Sequence, residues 1–187
     1  MPARPTSWVD IKTVIYHQAP IPYVKLADGS IGSGKGLVHR DLKPANIFLQ
    51  RVNNRLVAKI GDYGLAKAFE LSGLSGQTLT GKRGAMGTSA FMSRQQMLNC
   101  KYSQPEVDVW AAAACLYNML TGNYPRNFGG QDPFAAVLSN PVVPIRQRDS
   151  QIPAKLAAAI DLALQEQPQI YFQNALDFKV VLLKAIS

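Results

Sequence analysis

The residues of this chain with the clearest chemical potential lie between positions 39 and 62. Residues 39–46 have the sequence HRDLKPAN, and a DYG triplet begins at Asp62, sixteen residues after Asn46. A carboxylate and a carboxamide are hard oxygen ligands of the kind Mg²⁺ prefers, and Mg²⁺ bound by them can be shared with phosphate groups. Asp41 has the carboxylate needed to accept a proton from an attacking hydroxyl group. These residue types could bind Mg²⁺ together with a phosphate-bearing ligand and accept a proton from a hydroxyl group.

The residues between Asn46 and Asp62 explain how the two oxygen ligands would meet. Two short apolar runs flank Asn53-Asn54, whose side chains tolerate left-handed turn geometry. This pattern predicts a β-hairpin that leaves from Asn46 and returns at Asp62. We therefore expect the two ligands at one edge of the hairpin.

A second candidate for phosphate chemistry precedes this segment. Residues 29–35 have the sequence GSIGSGK, which matches the first seven positions of the phosphate-binding loop G-x-x-x-x-G-K-[ST]. The eighth position is Gly36, which has no hydroxyl group for a metal ion. The hydrophobic residues 37–38 and the HRD sequence at 39–41 follow, where the pattern requires a helix whose N–H groups bind phosphate. We interpret 29–36 as a surface loop that precedes the active residues without belonging to them.

Residues 39–46 resemble the catalytic loop of protein kinases, and residues 62–64 resemble their metal-binding triplet. The segment DVWAAAACLYNMLTG, from Asp108, resembles the kinase helix that carries a buried aspartate. The resemblance covers about residues 37–187, and residues 8–17 fit the helix before the catalytic loop. It implies a protein-kinase-like large (C-terminal) lobe, mainly α with a short β-hairpin, of a bacterial type of serine/threonine kinase.

The resemblance also assigns roles at the reaction centre. It implies that Asp41 is the catalytic base that orients the substrate hydroxyl, and that Lys43 stabilises the transferring phosphoryl group. A lysine at this position resembles serine/threonine kinases. Asn46 and Asp62 would hold Mg²⁺, and Phe48 would lie under the adenine of ATP.

Other residues receive supporting roles from the resemblance. His39 and Tyr63 would form part of the hydrophobic stack that links the two lobes of a kinase, and Gly64 would complete the metal triplet. Thr88, at the end of the activation segment, would lie close to the catalytic residues. Asp108 would cap the backbone of the catalytic loop.

The predicted organisation has two parts. Residues 1–36 are expected to form an N-terminal helix, at 8–17, and a Gly/Pro-rich insertion loop. Residues 37–187 are expected to form the large lobe. Its parts are the catalytic loop 39–46, the metal triplet 62–64, the activation segment 62–95 and the helical subdomain 96–187. Apolar periodicity and first-turn prolines predict helices at 105–120, 132–139, 153–165 and 174–186.

The chain departs from the kinase pattern within the large lobe. Tyr63 replaces the usual phenylalanine. Ser93-Arg94-Gln95 stands where the family has Ala-Pro-Glu, so the glutamate that pairs with a buried arginine is missing, and the arginine expected near Tyr171 is missing too. One unpaired buried charge would cost about 3 to 5 kcal/mol. The loss of both partners therefore indicates a coherent variant.

The small lobe of the kinase pattern is not found before residue 37. We find no kinase-type glycine-rich loop, no strand lysine in a VAIK-like setting and no partner glutamate there. Because that lobe covers the ATP phosphates and supplies the lysine that orients them, the large lobe alone is expected to bind Mg-ATP weakly and to transfer phosphate slowly.

The segment 67–88 is a candidate site of regulation. A phosphate on Thr78 or Thr80 could pair with Arg40 and order the segment. The alternative is a flexible loop that is merely rich in hydroxyl groups.

The composition describes a globular chain, with 47% hydrophobic and 17% charged residues. The net charge of +8 is spread along the chain without a dense block, which favours a solvated basic surface over a nucleic-acid interface. Cys100 and Cys115 suggest neither a disulfide framework nor a zinc site. With no apolar signal core and no membrane-spanning run in the sequence, we expect a cytoplasmic protein.

Three hypotheses for function follow from the sequence. The first is an enzyme that uses ATP and Mg²⁺ to phosphorylate serine or threonine hydroxyls of a protein substrate. The second is a non-catalytic, truncated or pseudokinase-like module that docks a partner. The third is a split kinase completed by a separate small lobe or a second kinase chain, which predicts an exposed apolar face on the hairpin side.

Overall fold

The computed structural model describes residues 23–25, 31–33, 38–62, 85–99 and 103–187. The strands are β1 (Tyr23–Lys25), β2 (Ile31–Ser33), β3 (Ile47–Val52) and β4 (Arg55–Ile60), and a 3₁₀ turn covers Pro44–Asn46. The helices are α1 (Ala85–Ser89), α2 (Arg94–Leu98), α3 (Glu106–Thr121), α4 (Pro133–Ser139), α5 (Ile145–Arg148), α6 (Ala154–Ala163) and α7 (Ala175–Ile186). The predicted fold class, mainly α with a short β-hairpin, is confirmed.

The hairpin β3-β4 has the predicted position and turn. Its antiparallel register pairs Ile47 with Ile60 and Val52 with Arg55. The two turn residues, Asn53 and Asn54, have φ angles of 47° and 61°. A two-residue turn with left-handed geometry at both positions matches the twist of the strands, and asparagine tolerates that geometry. The turn therefore fixes the register that brings the two ends of the hairpin together.

The long helix α3 lies at the centre of the helical part. Side chains around most of its circumference are buried, among them Trp110 and Tyr117, which is the pattern of a helix enclosed by others. Both residues satisfy their polar atoms, because Trp110 Nε1 donates to the Leu164 carbonyl (3.1 Å) and the Tyr117 hydroxyl donates to the Val143 carbonyl (2.9 Å). Gly122 ends the helix with a φ of 69°, a conformation that glycine adopts without strain.

Three helices pack against α3. The contacts of α3 include α5, α6 and α7, and α6 packs in turn on α7. The core of the described residues lies between these helices and contains Leu156, Ile160, Phe178 and Leu182.

Short elements occur outside the helices and the hairpin that the sequence predicts. Helix α5 lies between the predicted helices 132–139 and 153–165, and its first N–H donates to the Asp161 carboxylate (Ile145 N to Oδ1, 2.9 Å). Burial raises the pKa of Asp161, and its bond to Ile145 opposes that rise. The region 63–104 contains α1 and α2, and residues 18–36 contain β1 and β2. Elements of three to five residues give too little periodicity to be predicted.

The helix predicted at 8–17 lies outside the described residues. None of the helices in the described ranges combines the length and the apolarity that crossing a membrane requires.

Candidate active site

The Asp41 carboxylate is oriented by two neighbours on its own loop. Its Oδ2 atom accepts hydrogen bonds from Lys43 Nζ (2.8 Å) and Asn46 Nδ2 (3.1 Å). The other oxygen, Oδ1, is buried and has no hydrogen-bond partner among the described residues. The side chain thus has one carboxylate oxygen that no group in the described part of the chain satisfies.

Lys43 joins the catalytic loop to α1. Besides its ion pair with Asp41, its ammonium group donates to Thr88 Oγ1 (3.2 Å). Lys43 and Thr88 are 45 residues apart in sequence, so this contact depends on tertiary packing. The structure therefore brings Asp41, Lys43 and Thr88 into one hydrogen-bonded group.

Asn46 and Asp62 lie at the same edge of the hairpin. The Asn46 side-chain nitrogen also donates to the Asp41 carbonyl (2.8 Å), so the carboxamide oxygen is the atom of this side chain that could bind a metal ion. The backbone N–H of Gly61 donates to the Asn46 carbonyl (2.9 Å), so Asp62, which is exposed, follows at the same edge of the hairpin as Asn46. Asp62 has a left-handed φ of 60°.

This donor set fits Mg²⁺ better than a transition metal. The part of the chain that the structure describes contains no group of three or more His, Cys, Asp or Glu side chains that could hold a metal ion. Mg²⁺ does not need such a group, because it is commonly bound by one or two carboxylates, substrate phosphates and water. Asp62 and the Asn46 carboxamide oxygen are the residues here that could hold it.

Phe48 extends from β3 next to this edge. Its side chain is 55% exposed. A Cβ atom built on Gly61 would lie 2.7 Å from Phe48 Cε2, which is closer than real Cβ contacts. Glycine at position 61 therefore leaves the space in which the Phe48 ring lies.

The Asp108 carboxylate binds the backbone at the start of the catalytic loop. Its Oδ2 atom accepts from the His39 N–H (2.7 Å) and its Oδ1 atom from the Arg40 N–H (2.9 Å). Burial raises the pKa of Asp108, while the two backbone N–H groups act to lower it. The carboxylate fixes Arg40 in a left-handed conformation, with φ of 65°, which is strained for a residue with a side chain.

His39 connects the loop to the hairpin. Its Nε2 atom lies 3.0 Å from the Gly61 carbonyl oxygen, which can only accept, and its Nδ1 atom lies 3.2 Å from the Asp41 N–H, which can only donate. A neutral imidazole protonated on Nε2 satisfies both contacts. The ring therefore links the backbones of Asp41 and Gly61.

Helix α2 supports the loop from the other side. Gln96, which is buried, donates from Nε2 to the Arg40 carbonyl. Gln95, at the position where the kinase pattern has a glutamate, donates from Nε2 to Glu106 Oε1 (2.6 Å). Ser93 begins α2 and accepts from the Gln96 N–H (3.1 Å). The helix is thus fixed to both the catalytic loop and α3.

Four of the predicted residues lie outside the described residues. They are Tyr63 and Gly64 of the metal triplet and the hydroxyl residues Thr78 and Thr80. The pairing of a phosphorylated threonine with Arg40 therefore stays a prediction.

A loop of this sequence whose backbone is held by a partly buried aspartate, beside a two-stranded hairpin, is the arrangement of a kinase-type large lobe. Comparison with known proteins identifies the family. A model of the protein kinase domain matches residues 34–170. The chain belongs to the protein kinase family.

The most similar relatives include bacterial serine/threonine kinases. The chain is 31% identical over 153 residues to serine/threonine-protein kinase PknB of Mycolicibacterium smegmatis, covering 80% of this chain and 23% of that protein. It is 27% identical over 176 residues to a probable serine/threonine-protein kinase of Clostridium perfringens, covering 88% of this chain and 24% of that protein. The chain therefore spans about a quarter of the length of the curated relatives it matches.

A solved structure supports the fold. The crystal structure of the Rad53 kinase domain and SCD2 in complex with AMPPNP matches with a TM-score of 0.51 and 22% identity, covering 75% of this chain and 47% of that one. At this identity the likeness establishes the kinase fold alone.

Sequence reasoning missed the side chains that anchor α2. Gln96 donates to the Arg40 carbonyl. Arg94 forms an ion pair with Glu166, and the same carboxylate forms an ion pair with Arg126. The signal available in the sequence was Arg94 itself, a charged residue where the family has proline. Its partners lie too far along the chain for spacing to reveal them.

Proposed function

We propose that this chain carries the catalytic lobe of a serine/threonine protein kinase, which transfers the γ-phosphoryl group of ATP to a protein hydroxyl in the presence of Mg²⁺. The observation that carries the proposal is the Asp41 carboxylate. Lys43 and Asn46 hold one of its oxygens, while the buried Oδ1 atom has no hydrogen-bond partner among the described residues. Such an acceptor is costly to bury, which supports a role toward a ligand hydroxyl.

The neighbouring groups suit the proposed transfer. Asp41 Oδ1 would accept the hydrogen bond of the substrate hydroxyl and then its proton. The Lys43 ammonium, between Asp41 and Thr88, would balance negative charge on the phosphoryl group as it moves. Positioning accounts for most of catalysis in this reaction class, and the loop here is positioned by Asp108.

The hairpin edge would bind the nucleotide. The Asn46 carboxamide oxygen and the Asp62 carboxylate would hold Mg²⁺. When bound, the ion neutralises charge on the phosphates. Phe48 offers an exposed aromatic ring on the adjoining strand, which suits contact with a flat adenine base.

A second candidate is a module that docks a partner, such as a separate small lobe or a second kinase chain. The observation that favours it is the exposure of large apolar residues along β3. Leu49 is 57% exposed and Val52 is 40% exposed, next to the exposed Phe48. Successive strand residues point to opposite faces, so both faces of the hairpin present apolar surface to a partner.

Phosphoryl transfer assays distinguish the two candidates. The chain is incubated with Mg-ATP and a generic Ser/Thr substrate, alongside Asp41→Asn, Asp62→Asn and the control Asp132→Asn. Asp132 is an exposed cap of α4 that accepts from the Ala135 N–H (3.0 Å), and asparagine caps helices equally well. We expect both active-site substitutions to reduce transfer at least about 100-fold, and the control to retain it.

The opposite result is equally informative. If the folded wild-type chain transfers no phosphate, the catalytic proposal fails for this chain and the docking module is favoured. If transfer persists in Asp41→Asn, the assignment of Asp41 as the base is wrong.

A further inference from the structure

A largely buried ionic cluster outside the proposed active site joins distant parts of the chain. Glu166, whose side chain is 4% exposed, accepts from the Arg94 backbone N–H (2.7 Å) and from Arg94 Nη1 (3.0 Å). The same carboxylate forms an ion pair with Arg126 Nη2. The Arg126 guanidinium lies over the ring of Trp110, 4.7 Å from its centroid. One carboxylate and one aromatic face thus balance two guanidinium groups.

Each of the three nitrogen atoms of the Arg94 guanidinium donates a hydrogen bond. Nε donates to the Leu138 carbonyl (3.0 Å) and Nη2 to the Asn140 carbonyl (2.7 Å), while Nη1 pairs with Glu166. These partners belong to the end of α4 and to the segment after α6. A lysine has the charge but cannot bond in three fixed directions from one planar group.

The cluster holds the backbone just before and within α2. Arg126 Nη1 donates to the Met92 carbonyl (3.1 Å), and Glu166 accepts the Arg94 N–H. Two residues further along, Gln96 donates to the Arg40 carbonyl in the catalytic loop. Hydrogen bonds to Arg94 and from Gln96, joined by the backbone of α2, therefore link Glu166 to the loop that carries Asp41.

We propose that Arg94, Glu166 and Arg126 are positioning residues for the proposed phosphoryl transfer, since their ion cluster fixes the segment 92–96 and, through Gln96, the catalytic loop. The inference rests on the proposed function of the site. The kinase pattern has a glutamate on the segment 92–96 and an arginine beyond α6. In this chain the segment carries Arg94, and Glu166 lies beyond α6. The cluster replaces that pair with the charges reversed.

Hydrogen–deuterium exchange of the full chain, followed by mass spectrometry, tests this proposal without requiring activity. The variants are Arg94→Lys, which keeps the charge but loses the fork, and Glu166→Gln, which keeps the shape but loses the charge. The control is Arg146→Lys, an exposed arginine with one carbonyl contact, from Nη2 to Ser150 (3.1 Å). We expect exchange at least about tenfold faster in peptides covering 90–99 and 38–47, with the middle of α3 unchanged.

The same variants have a kinetic expectation where the wild-type chain transfers phosphate. Per folded molecule, Arg94→Lys should lower kcat while leaving KM for ATP unchanged, because the residues proposed to bind ATP are not on α2. A loss that only reflects unfolding would disappear after correction for the folded fraction.

The outcomes are separable. Faster exchange at 90–99 without any change at 38–47 would overturn the link to the catalytic loop. Uniformly faster exchange, including α3, would show a purely structural role and would also overturn it. A wild-type chain without transfer activity would contradict the proposed function, whereas the exchange pattern would still decide whether the cluster positions the loop.

Discussion

Replacing Asp108 with asparagine tests whether one carboxylate holds the catalytic loop. The two Asp108 oxygens accept separate backbone N–H groups, from His39 at 2.7 Å and Arg40 at 2.9 Å. Asparagine has nearly the same shape, but only its oxygen accepts, so its NH₂ group must face the second N–H. A buried N–H without an acceptor costs about 1 to 3 kcal/mol, and losing the charge on the remaining acceptor adds roughly 1 kcal/mol.

Part of this loss is recovered, because asparagine carries no charge to bury. Burial raises the pKa of Asp108 despite the two N–H bonds, so the charged form is held at a cost. We therefore expect Asp108→Asn to lower the free energy of unfolding by about 2 kcal/mol. Urea denaturation followed by circular dichroism measures this change.

Asp161→Asn is the matched control for this measurement. Asp161 is also a partly buried carboxylate that accepts a backbone N–H, but only that of Ile145, at 2.9 Å. The asparagine oxygen can replace that single acceptor, so we expect a loss below about 1 kcal/mol. Equal losses for the two variants would refute the argument that Asp108 matters because both of its oxygens accept.

Two further predictions concern the hairpin and the pH dependence of stability. Gly61→Ala should move the Phe48 ring, which lies 2.7 Å from the added Cβ position. A nucleotide titration should then show binding several-fold weaker, while urea denaturation should show a loss of at most about 1 kcal/mol in the free energy of unfolding. Unchanged nucleotide binding would contradict the role of Phe48. Burial raises the pKa of Asp161 above its ordinary value of 3.8, so between the two pKa values the folded state binds more protons than the unfolded state. The contribution of Asp161 to stability should therefore fall as pH rises from about 4 through the folded-state pKa. Denaturation of the wild-type chain and Asp161→Asn across this range should show the wild-type advantage shrinking, and a constant difference would contradict the expected shift.

The longer elements of the fold could be predicted from the sequence. The run of apolar residues in α3 and the asparagine turn of the β3-β4 hairpin are local signals, and Pro133 lies in the first turn of α4 as the sequence predicts. Helix α5 could not be predicted, since its four residues depend on the carboxylate of Asp161, sixteen residues away. Short helices held by distant side chains have no periodicity of their own.

The residues of the candidate site that lie close together in the sequence could also be predicted, whereas its long-range contacts could not. Asp41, Lys43 and Asn46 are spaced closely enough in the sequence to suggest a common site. The contact of Lys43 with Thr88 spans 45 residues, and that of Arg94 with Glu166 spans 72. Spacing cannot reveal such pairs, because only tertiary packing brings them together. The missing glutamate and arginine of the family pattern indicated a variant, without indicating that a reversed pair would take their place.

The left-handed residues at the two ends of the site bear on attempts to redesign this lobe. Arg40 and Asp62 adopt φ angles of 65° and 60°, where a residue with a side chain is held at a cost of roughly 1 to 2 kcal/mol. Glycine would be the easier choice at both positions. Selection for thermal stability alone would therefore favour glycine at both positions, and would gain stability by removing the two side chains from the loop 39–46 and from the end of the hairpin.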